Sequence, residues 1–294
     1  MTPGDAHDDG AGHRDLLVTR EPALRRCWQA VAFAATVGEE PVERELLGRR
    51  LVLCRSGAVV VVTVDGDDVR CVAEALGCVW VCLEPDPLLP LPTLPEWDDD
   101  EYRVIPVGEL SVACSVAAYL DNNTDATHVA FVHAASFGAD QDPSIPTSEV
   151  GRTATGLDIT MITPVATTPG GTDDAERRSE TEIVLPFVQI SRMIYPGGDV
   201  HILFKACCPA TDGRTIVMFS VLRNDARRTD AVPVADVVVY ERRIEAEDAA
   251  MLALLPVPFP LDPHSLVHIR HDRPGIALRR AWRGLLDHAP AVNR

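Results

Sequence analysis

The chain has 294 residues, of which 46% are hydrophobic, so it can bury the core of one large domain or of two closely packed ones. A formal net charge of −17 and a pI near 4.8 argue against nucleic acid or an anionic membrane as a partner, because both repel an acidic surface. No apolar stretch in the sequence is long enough to span a bilayer.

The N-terminal segment begins with small, acidic and histidine residues and has no apolar core of the kind that a secretory signal needs. We therefore expect a disordered leader over residues 1–24 and a cytoplasmic protein. In a chain of this length without a signal peptide, the eight cysteines favour reduced thiols over a disulfide framework.

Between residues 25 and 100 the sequence predicts a small β domain followed by a linker. Apolar runs lie at 51–55, 58–64 and 78–83. Gly57 and the cluster at 65–68 interrupt these runs in the way that hairpin turns do. The segment 84–101, rich in proline and then in acidic residues, indicates the linker.

From residue 101 to 294 the sequence predicts a larger domain with a block of strands between helices. The predicted strands lie at 102–107, 157–165, 181–189, 191–195, 200–207 and 215–223. The predicted helices lie at 115–132, 234–255 and 275–286. This order is typical of an α+β fold in which a long helix lies across an antiparallel sheet.

The stretch 119–133 carries the residues best suited to chemistry. Asp125 and His128 are three residues apart and share one face of a helix, whereas His128 and His133 lie about 140° apart around an ideal helix. The two imidazoles therefore converge on one point only if the helix ends or bulges between them. Two imidazoles and one distant carboxylate form a ligand set that binds Fe(II) and leaves positions open for O₂ or substrate. The alternative is a pair of ordinary core or surface histidines.

Asp121, Asn122, Asp125, His128 and His133 match the motif D-N-x-x-D-x-x-H-x-x-x-x-H. On these residues the chain resembles the Rieske non-haem iron oxygenase α-subunit family, and within it the vanillate O-demethylase-like members. The resemblance implies an α+β fold with two domains. One is a truncated, Rieske-like antiparallel β domain with its linker over 25–100, and the other is a helix-grip (START-like) catalytic domain over 101–294. A homotrimer is the assembly that the resemblance implies.

The resemblance also implies a mononuclear Fe(II) site whose third ligand is an aspartate on a late helix. We expect His128, His133 and Asp248 to bind the metal, with Glu247 and Glu245 as alternatives for the third position. Asp125 is expected to accept a hydrogen bond from the ring of His128, and these two residues form the predicted catalytic acid–base pair. A metal-free site that uses the same pair is the other interpretation.

The residues that a [2Fe–2S] Rieske cluster requires are missing. The cluster is bound by two cysteines and two histidines, which the family supplies as C-x-H and C-x-x-H pairs, and neither pair occurs in the sequence. Only about a dozen residues separate Val64 from Trp80, between which both pairs are expected. We therefore predict a degenerate family member without the cluster, in which electrons cannot reach the iron from it by way of the residue matching Asp125.

Three functions are compatible with these features. The favoured prediction is a tailoring enzyme of secondary metabolism that closes a ring in a large apolar small molecule, by a pericyclic or acid–base route without net redox change. The first alternative is a mononuclear non-haem iron oxygenase or oxidase that takes its electrons from the substrate or a small reductant. The second is a non-catalytic subunit that completes a hetero-oligomer with an intact Rieske subunit.

Overall fold

The computed structural model describes residues 15–138, 148–164, 176–225 and 233–287. Within these ranges the chain forms sheets of two, three, four and seven strands together with five α-helices. None of the described helices has the length and hydropathy needed to cross a bilayer.

The first described residues are held against the C-terminal part of the chain. Strand β1 (Leu16–Leu17) pairs with β16 (Phe259–Pro260), and helix α1 (Pro22–Arg25) buries Leu24. The predicted disordered leader is therefore wrong for residues 15–24, because their apolar side chains have packing partners far along the chain. The rest of that predicted leader lies outside the described residues.

The N-terminal half of the fold consists of two small antiparallel sheets. Their strands are β2 (Gln29–Phe33), β3 (Val42–Leu46), β4 (Arg49–Ser56), β5 (Val59–Val64), β6 (Asp67–Asp68), β7 (Cys71–Ala75) and β8 (Cys78–Cys82). The strand orders are β2-β8-β7 and β3-β4-β5-β6. Alternate side chains of β5 are buried, among them Val62, and so are Leu51 and Leu53 in the middle of β4, in the core that also contains Trp80.

The predicted linker packs closely on both parts of the molecule. The ring of Trp97 lies edge-to-face on Phe204 of the large sheet, with 5.4 Å between centroids. On its other side it covers the β7–β8 hairpin, where a Cβ on Gly77 would come within 2.8 Å of the indole. Glu96 forms a two-pronged ion pair with Arg192, at 2.6 and 3.0 Å. These contacts attach the small sheets to the large one.

The large sheet has seven strands, all antiparallel, in the order β10-β11-β12-β13-β14-β15-β9. They are β9 (Arg103–Val112), β10 (Glu149–Arg152), β11 (Gly156–Pro164), β12 (Glu176–Val184), β13 (Val188–Ile194), β14 (Val200–Thr211) and β15 (Arg214–Arg223). The predicted strand break near Ile190 is wrong. The turn lies instead at 185–187, where Pro186 cannot donate a ladder hydrogen bond.

Helix α4 (Val234–Leu252) lies against β9 and contacts α2 (Val116–Thr124) and α3 (Val129–Val132). Helix α5 (Arg273–Asp287) packs on α2 and on strand β11, and its Trp282 donates a hydrogen bond to the carbonyl of Pro186. A long helix over an antiparallel sheet is the arrangement that the sequence predicts, so the α+β, helix-grip fold class is confirmed.

The single helix predicted over 115–132 is interrupted. Helix α2 ends at Thr124, and Asp125 is extended, with φ −91° and ψ 116°. Short polar side chains make local hydrogen bonds here: Asn123 donates to the carbonyl of Tyr119, and Asp125 Oδ1 accepts from the backbone and hydroxyl of Thr127. Such side chains compete with the helical backbone bonds and favour a turn.

Candidate metal centre

The interruption of the helix brings the two predicted histidine ligands together. His128 comes directly before the single turn of α3, His133 comes directly after it, and the ring centroids are 5.3 Å apart. Asp248 reaches them from α4: its Oδ1 lies 3.5 Å from His128 Nε2 and 3.3 Å from His133 Nε2. One ligand atom from each of the three residues lies within 4.8 Å of the others.

The electrostatics of this cluster fit a divalent metal. Asp248 Oδ1 is buried and has no hydrogen-bond donor among the described residues, an arrangement that is costly without a compensating charge. Burial lowers the pKa of His128 because it disfavours the imidazolium, which leaves the neutral ring that metals bind. Two imidazoles and one carboxylate are the donor set of mononuclear non-haem Fe(II) sites.

Glu247 holds the ring of His133 from the side away from the cluster. Its Oε2 lies 2.8 Å from His133 Nδ1 and also accepts a hydrogen bond from Ser136, while Arg243 donates to Oε1. These hydrogen bonds, that from His133 first, lower the pKa of Glu247. A carboxylate at Nδ1 keeps the ring proton there and leaves the Nε2 lone pair for a metal. Glu247, considered from the sequence as a ligand, instead forms a hydrogen bond with the ring of His133.

Asp125 does not make the hydrogen bond to His128 that we predicted. Its Oδ2 lies 3.9 Å from His128 Nδ1, beyond hydrogen-bond distance, because its other oxygen is held by Thr127. His128 Nδ1 is buried and has no hydrogen-bond partner in the described parts of the chain. Asp125 is nevertheless placed beside the histidine pair and lines the same cavity.

A cavity of about 200 Å³ opens beside the cluster. His128, His133 and Asp248 line it together with residues of β11, β12, β13 and β14 of the large sheet. Apolar residues of the lining include Ile159, Met161, Met193, Leu203 and Ile244. Polar residues of the lining include Asn123, Thr181, Gln189, Ser191 and Lys205. The lining therefore combines apolar side chains with a few polar groups, as is typical of small-molecule pockets.

Lys205 is the cavity residue that the sequence analysis missed. It is 5% exposed, its Nζ lies 2.6 Å from Glu245 Oε1, and it donates to Asn123 Oδ1 at 2.7 Å. Burial alone lowers the pKa of such an amine, but the Glu245 carboxylate outweighs it and the pKa of Lys205 is raised. The composition could have drawn attention to this residue, because Lys205 is the only lysine in a sequence with 26 arginines.

Comparison with known proteins agrees with the fold and with the resemblance. The family model described as the vanillate O-demethylase oxygenase C-terminal domain matches residues 112–288, more than half of the chain. No curated protein matches the sequence.

Solved structures with the same fold include oxygenases. NdmA of Pseudomonas putida CBB5 with caffeine has a TM-score of 0.72 at 16% identity, over 91% of this chain and 96% of that one. NdmB of the same organism has a TM-score of 0.74 at 17% identity, over 91% and 93%. Dicamba monooxygenase bound to dicamba has a TM-score of 0.70 at 15% identity, over 90% and 98%.

At these identities the structures show the fold alone, whereas the family model covers the segment that carries the His128, His133 and Asp248 cluster. Rieske oxygenases of this family use non-haem iron, and the donor set agrees with that metal. The chain belongs to the vanillate O-demethylase-like family of Rieske non-haem iron oxygenases, whose catalytic domain it contains.

Proposed function

We propose that the protein is an enzyme that binds one Fe(II) ion through His128, His133 and Asp248. It transforms a small, largely apolar substrate in the adjoining cavity without a Rieske cluster of its own. The observation that carries this proposal is the convergence of three ligand atoms within 4.8 Å around a buried carboxylate oxygen to which no described residue donates a hydrogen bond. When bound, the ion supplies Lewis acidity and, if electrons are provided, O₂ chemistry.

The surrounding residues prepare the site and control water and protons. Glu247 keeps the proton of His133 on Nδ1, so that ring cannot rotate freely. The apolar side chains of Ile159, Met161 and Leu203 line the cavity, and apolar walls lower the local dielectric constant and so strengthen the polar contacts beside them. Asp125 lines the cavity, with its Oδ2 3.9 Å from His128 Nδ1, and its carboxylate is able to take up a substrate proton.

Ring closure without net redox change is a second candidate function, and one observation favours it. Residues 14–127 contain no histidine at all, whereas a Rieske cluster needs two. A chain without that cluster lacks its family's internal source of electrons. Ring closure needs none, since a dry cavity that holds one reactive conformer supplies several kcal/mol. The comparisons support the oxygenase scaffold and carry no support specific to cyclisation.

Metal analysis of purified protein tests the primary proposal. We expect one iron per chain after anaerobic loading with Fe(II), and no acid-labile sulfide. His133→Ala is expected to abolish loading, whereas His264→Ala, at an exposed position, is the matched control. Loading that survives His133→Ala contradicts the assigned site, and sulfide in stoichiometric amounts contradicts the absence of a cluster.

The mass of the product separates the two reaction classes. Metabolites of cells that express either the wild type or the His128→Ala variant identify the consumed molecule and its product. Ring closure gives a product with the mass of its substrate, and turnover continues without O₂. An oxygenase or oxidase changes the mass by an oxygen atom or by hydrogens, and turnover stops without O₂.

A further inference from the structure

A second group of interacting residues lies beside the cavity, about one helical turn along α4 from Asp248. Glu245 and Asp248 lie three apart on α4 and therefore share one face of the helix. Asp248 belongs to the metal cluster, while Glu245 binds Lys205 from β14 and accepts a hydrogen bond from the hydroxyl of Tyr119 at 2.8 Å. The group is buried: Lys205 and Glu245 are each 5% exposed.

The Lys205 ammonium has one more N–H donor than its described hydrogen bonds occupy. An ammonium group has three N–H donors, and Glu245 Oε1 and Asn123 Oδ1 account for two of them. The ring of Phe219, 5.1 Å from Nζ, stabilises the cation through its π face and contains no oxygen acceptor. Within the described part of the chain no third acceptor is hydrogen-bonded to Nζ, so one N–H is available to a molecule in the cavity that Lys205 lines.

Gln189 provides an independent indication of a ligand at the same place. It lies directly opposite Lys205 in the β13–β14 pair, so the two side chains project from the same face of the sheet. The residue is 3% exposed and lines the cavity. Its Nε2 donates to Ser191 Oγ, but its Oε1 is buried with no hydrogen-bond partner in the described parts of the chain. Buried polar atoms normally have a partner.

We propose that Lys205 and Gln189 form a subsite that anchors a hydroxyl or enol oxygen of the substrate. Such an oxygen accepts a hydrogen bond from the Lys205 ammonium and donates one to the Gln189 carbonyl, so it satisfies both open positions at once. This inference deepens the proposed function and rests on it only in taking this cavity as the substrate site.

The charges around Lys205 select a hydroxyl or enol over a carboxylate. The Glu245 carboxylate already neutralises the charge of the Lys205 ammonium, and the Glu245 side chain is 6% exposed. A ligand carboxylate would bring a further negative charge close to Glu245 and Asp248, in surroundings where like charges repel strongly. It would also have no proton to donate to Gln189.

The single lysine makes the subsite directly observable in the unmodified chain. Protein labelled with ¹³C at lysine Cε gives one lysine resonance, that of Lys205. We expect 2-naphthol, used as a probe with metal-free protein, to shift this resonance in a saturable way, with the dissociation constant that calorimetry gives. Binding of 2-naphthol that leaves the lysine resonance unmoved overturns the proposal.

Affinities for three matched probes test the chemical class. We expect 2-naphthol to bind about tenfold more tightly than naphthalene, which lacks the oxygen, and than 2-naphthoate, which is anionic. Equal affinity for 2-naphthol and naphthalene overturns the proposal, as does a preference for 2-naphthoate.

Two variants connect the preference to the named residues. Gln189→Leu removes the open carbonyl without leaving a buried charge, and we expect it to reduce the preference for 2-naphthol over naphthalene severalfold. Lys205→Met alone leaves Glu245 unpaired and risks unfolding, so it is combined with Glu245→Gln. We expect this double variant to lose the preference entirely. A double variant that folds and keeps it overturns the proposal.

The metal site and the subsite fail independently of each other in these experiments. Every probe titration uses metal-free protein, so a chain that binds no iron but discriminates between the probes keeps the subsite and loses the proposed metal function. A chain that binds iron but treats the three probes alike keeps the metal function and loses the subsite.

Discussion

The small β sheets bury cysteines but contain no histidine, whereas the catalytic domain contains both buried cysteines and the His128–His133 pair. In the small sheets and the segment that leads into them, burial raises the pKa of the Cys27 and Cys78 thiols to about 12 and that of Cys82 to about 11. Metals bind the thiolate, so packing keeps these cysteines in the form that does not bind. In the catalytic domain burial lowers the pKa of His128 and favours the neutral ring that does bind.

The difference indicates that the two regions are retained for different reasons. The small sheets share a hydrophobic core with the large sheet, and the β3–β4 turn donates backbone hydrogen bonds from Leu47 and Gly48 to Pro209 and Ala210 at 2.8 and 2.7 Å. Residues 14–127 contain no histidine, and the contribution of this region that the structure shows is packing. We infer a structural role for the small sheets and a chemical one for the large domain.

Replacing Trp80 tests the structural role inferred for the small sheets. Of the predictions made here, it has the largest expected effect. Trp80 is fully buried, and its Nε1 donates to the carbonyl of Ala75 at 2.8 Å. We expect Trp80→Ala to lower the free energy of unfolding by about 3–5 kcal/mol, measured by urea denaturation, because it leaves a cavity. Val61→Ala, on the exposed face of β5, should cost under about 0.5 kcal/mol. Equal stability of both variants would falsify the structural role.

Replacing Asp248, the proposed carboxylate ligand, tests the chemical role inferred for the large domain. We expect Asp248→Ala to weaken Fe(II) binding by at least about a hundredfold, roughly 2.7 kcal/mol, because two imidazoles alone hold the ion poorly. Asp236→Ala, an exposed carboxylate on the same helix, should leave the affinity unchanged. Calorimetric titration with Fe(II) under argon measures both. Comparable affinities in the two variants would mean that the ion binds elsewhere.

The carboxylate behind His133 should have a smaller effect than the ligand itself. Glu247→Ala removes the hydrogen bond at Nδ1, so the ring is free to rotate and to change tautomer. We expect a 10–100-fold loss of Fe(II) affinity, with Glu247→Gln between this variant and the wild type, since its amide oxygen can still accept the proton. A Glu247→Ala affinity equal to that of the wild type would show that His133 is oriented by packing alone.

Local sequence patterns account for the sheet, the long helix and the histidine pair. Alternating apolar residues predict strands, and the spacing of Asp125, His128 and His133 indicates the metal cluster because those residues are close in the chain. The proposed third ligand, Asp248, was inferred from the family resemblance, not from spacing. The structure places it 3.3 Å from His133, across 115 positions that no periodic pattern connects.

The features that sequence reasoning missed depend on long-range or competing contacts. The helix over 115–132 was predicted from its apolar content, but the turn at Asp125 is decided by side-chain hydrogen bonds that periodicity does not report. Leu16 and Leu17 pair with a strand more than two hundred residues away. Lys205 lies in a largely apolar strand. Its buried position is explained only by contacts with Glu245 and Asn123, which lie on other elements of the fold.

Acid titration should produce the smallest effect and again separate the two regions. The hydrogen bonds from Arg223 lower the pKa of Asp225, at the end of β15, to about 2. Because this value lies below the ordinary 3.8, the stabilisation is present above about pH 4 and is lost as the pH falls towards 2.

With solvent screening taken into account, we expect Asp225→Asn to cost about 1 kcal/mol at pH 6 and little at pH 2. In the small sheets the Glu74 carboxylate also has a lowered pKa, from its hydrogen bond with Arg55, but the pair lies at the surface. Glu74→Gln should therefore change the free energy of unfolding less than Asp225→Asn does. Urea denaturation at several pH values measures both, and a larger acid dependence for Glu74→Gln would reverse the assignment of the stronger ion pair to the catalytic domain.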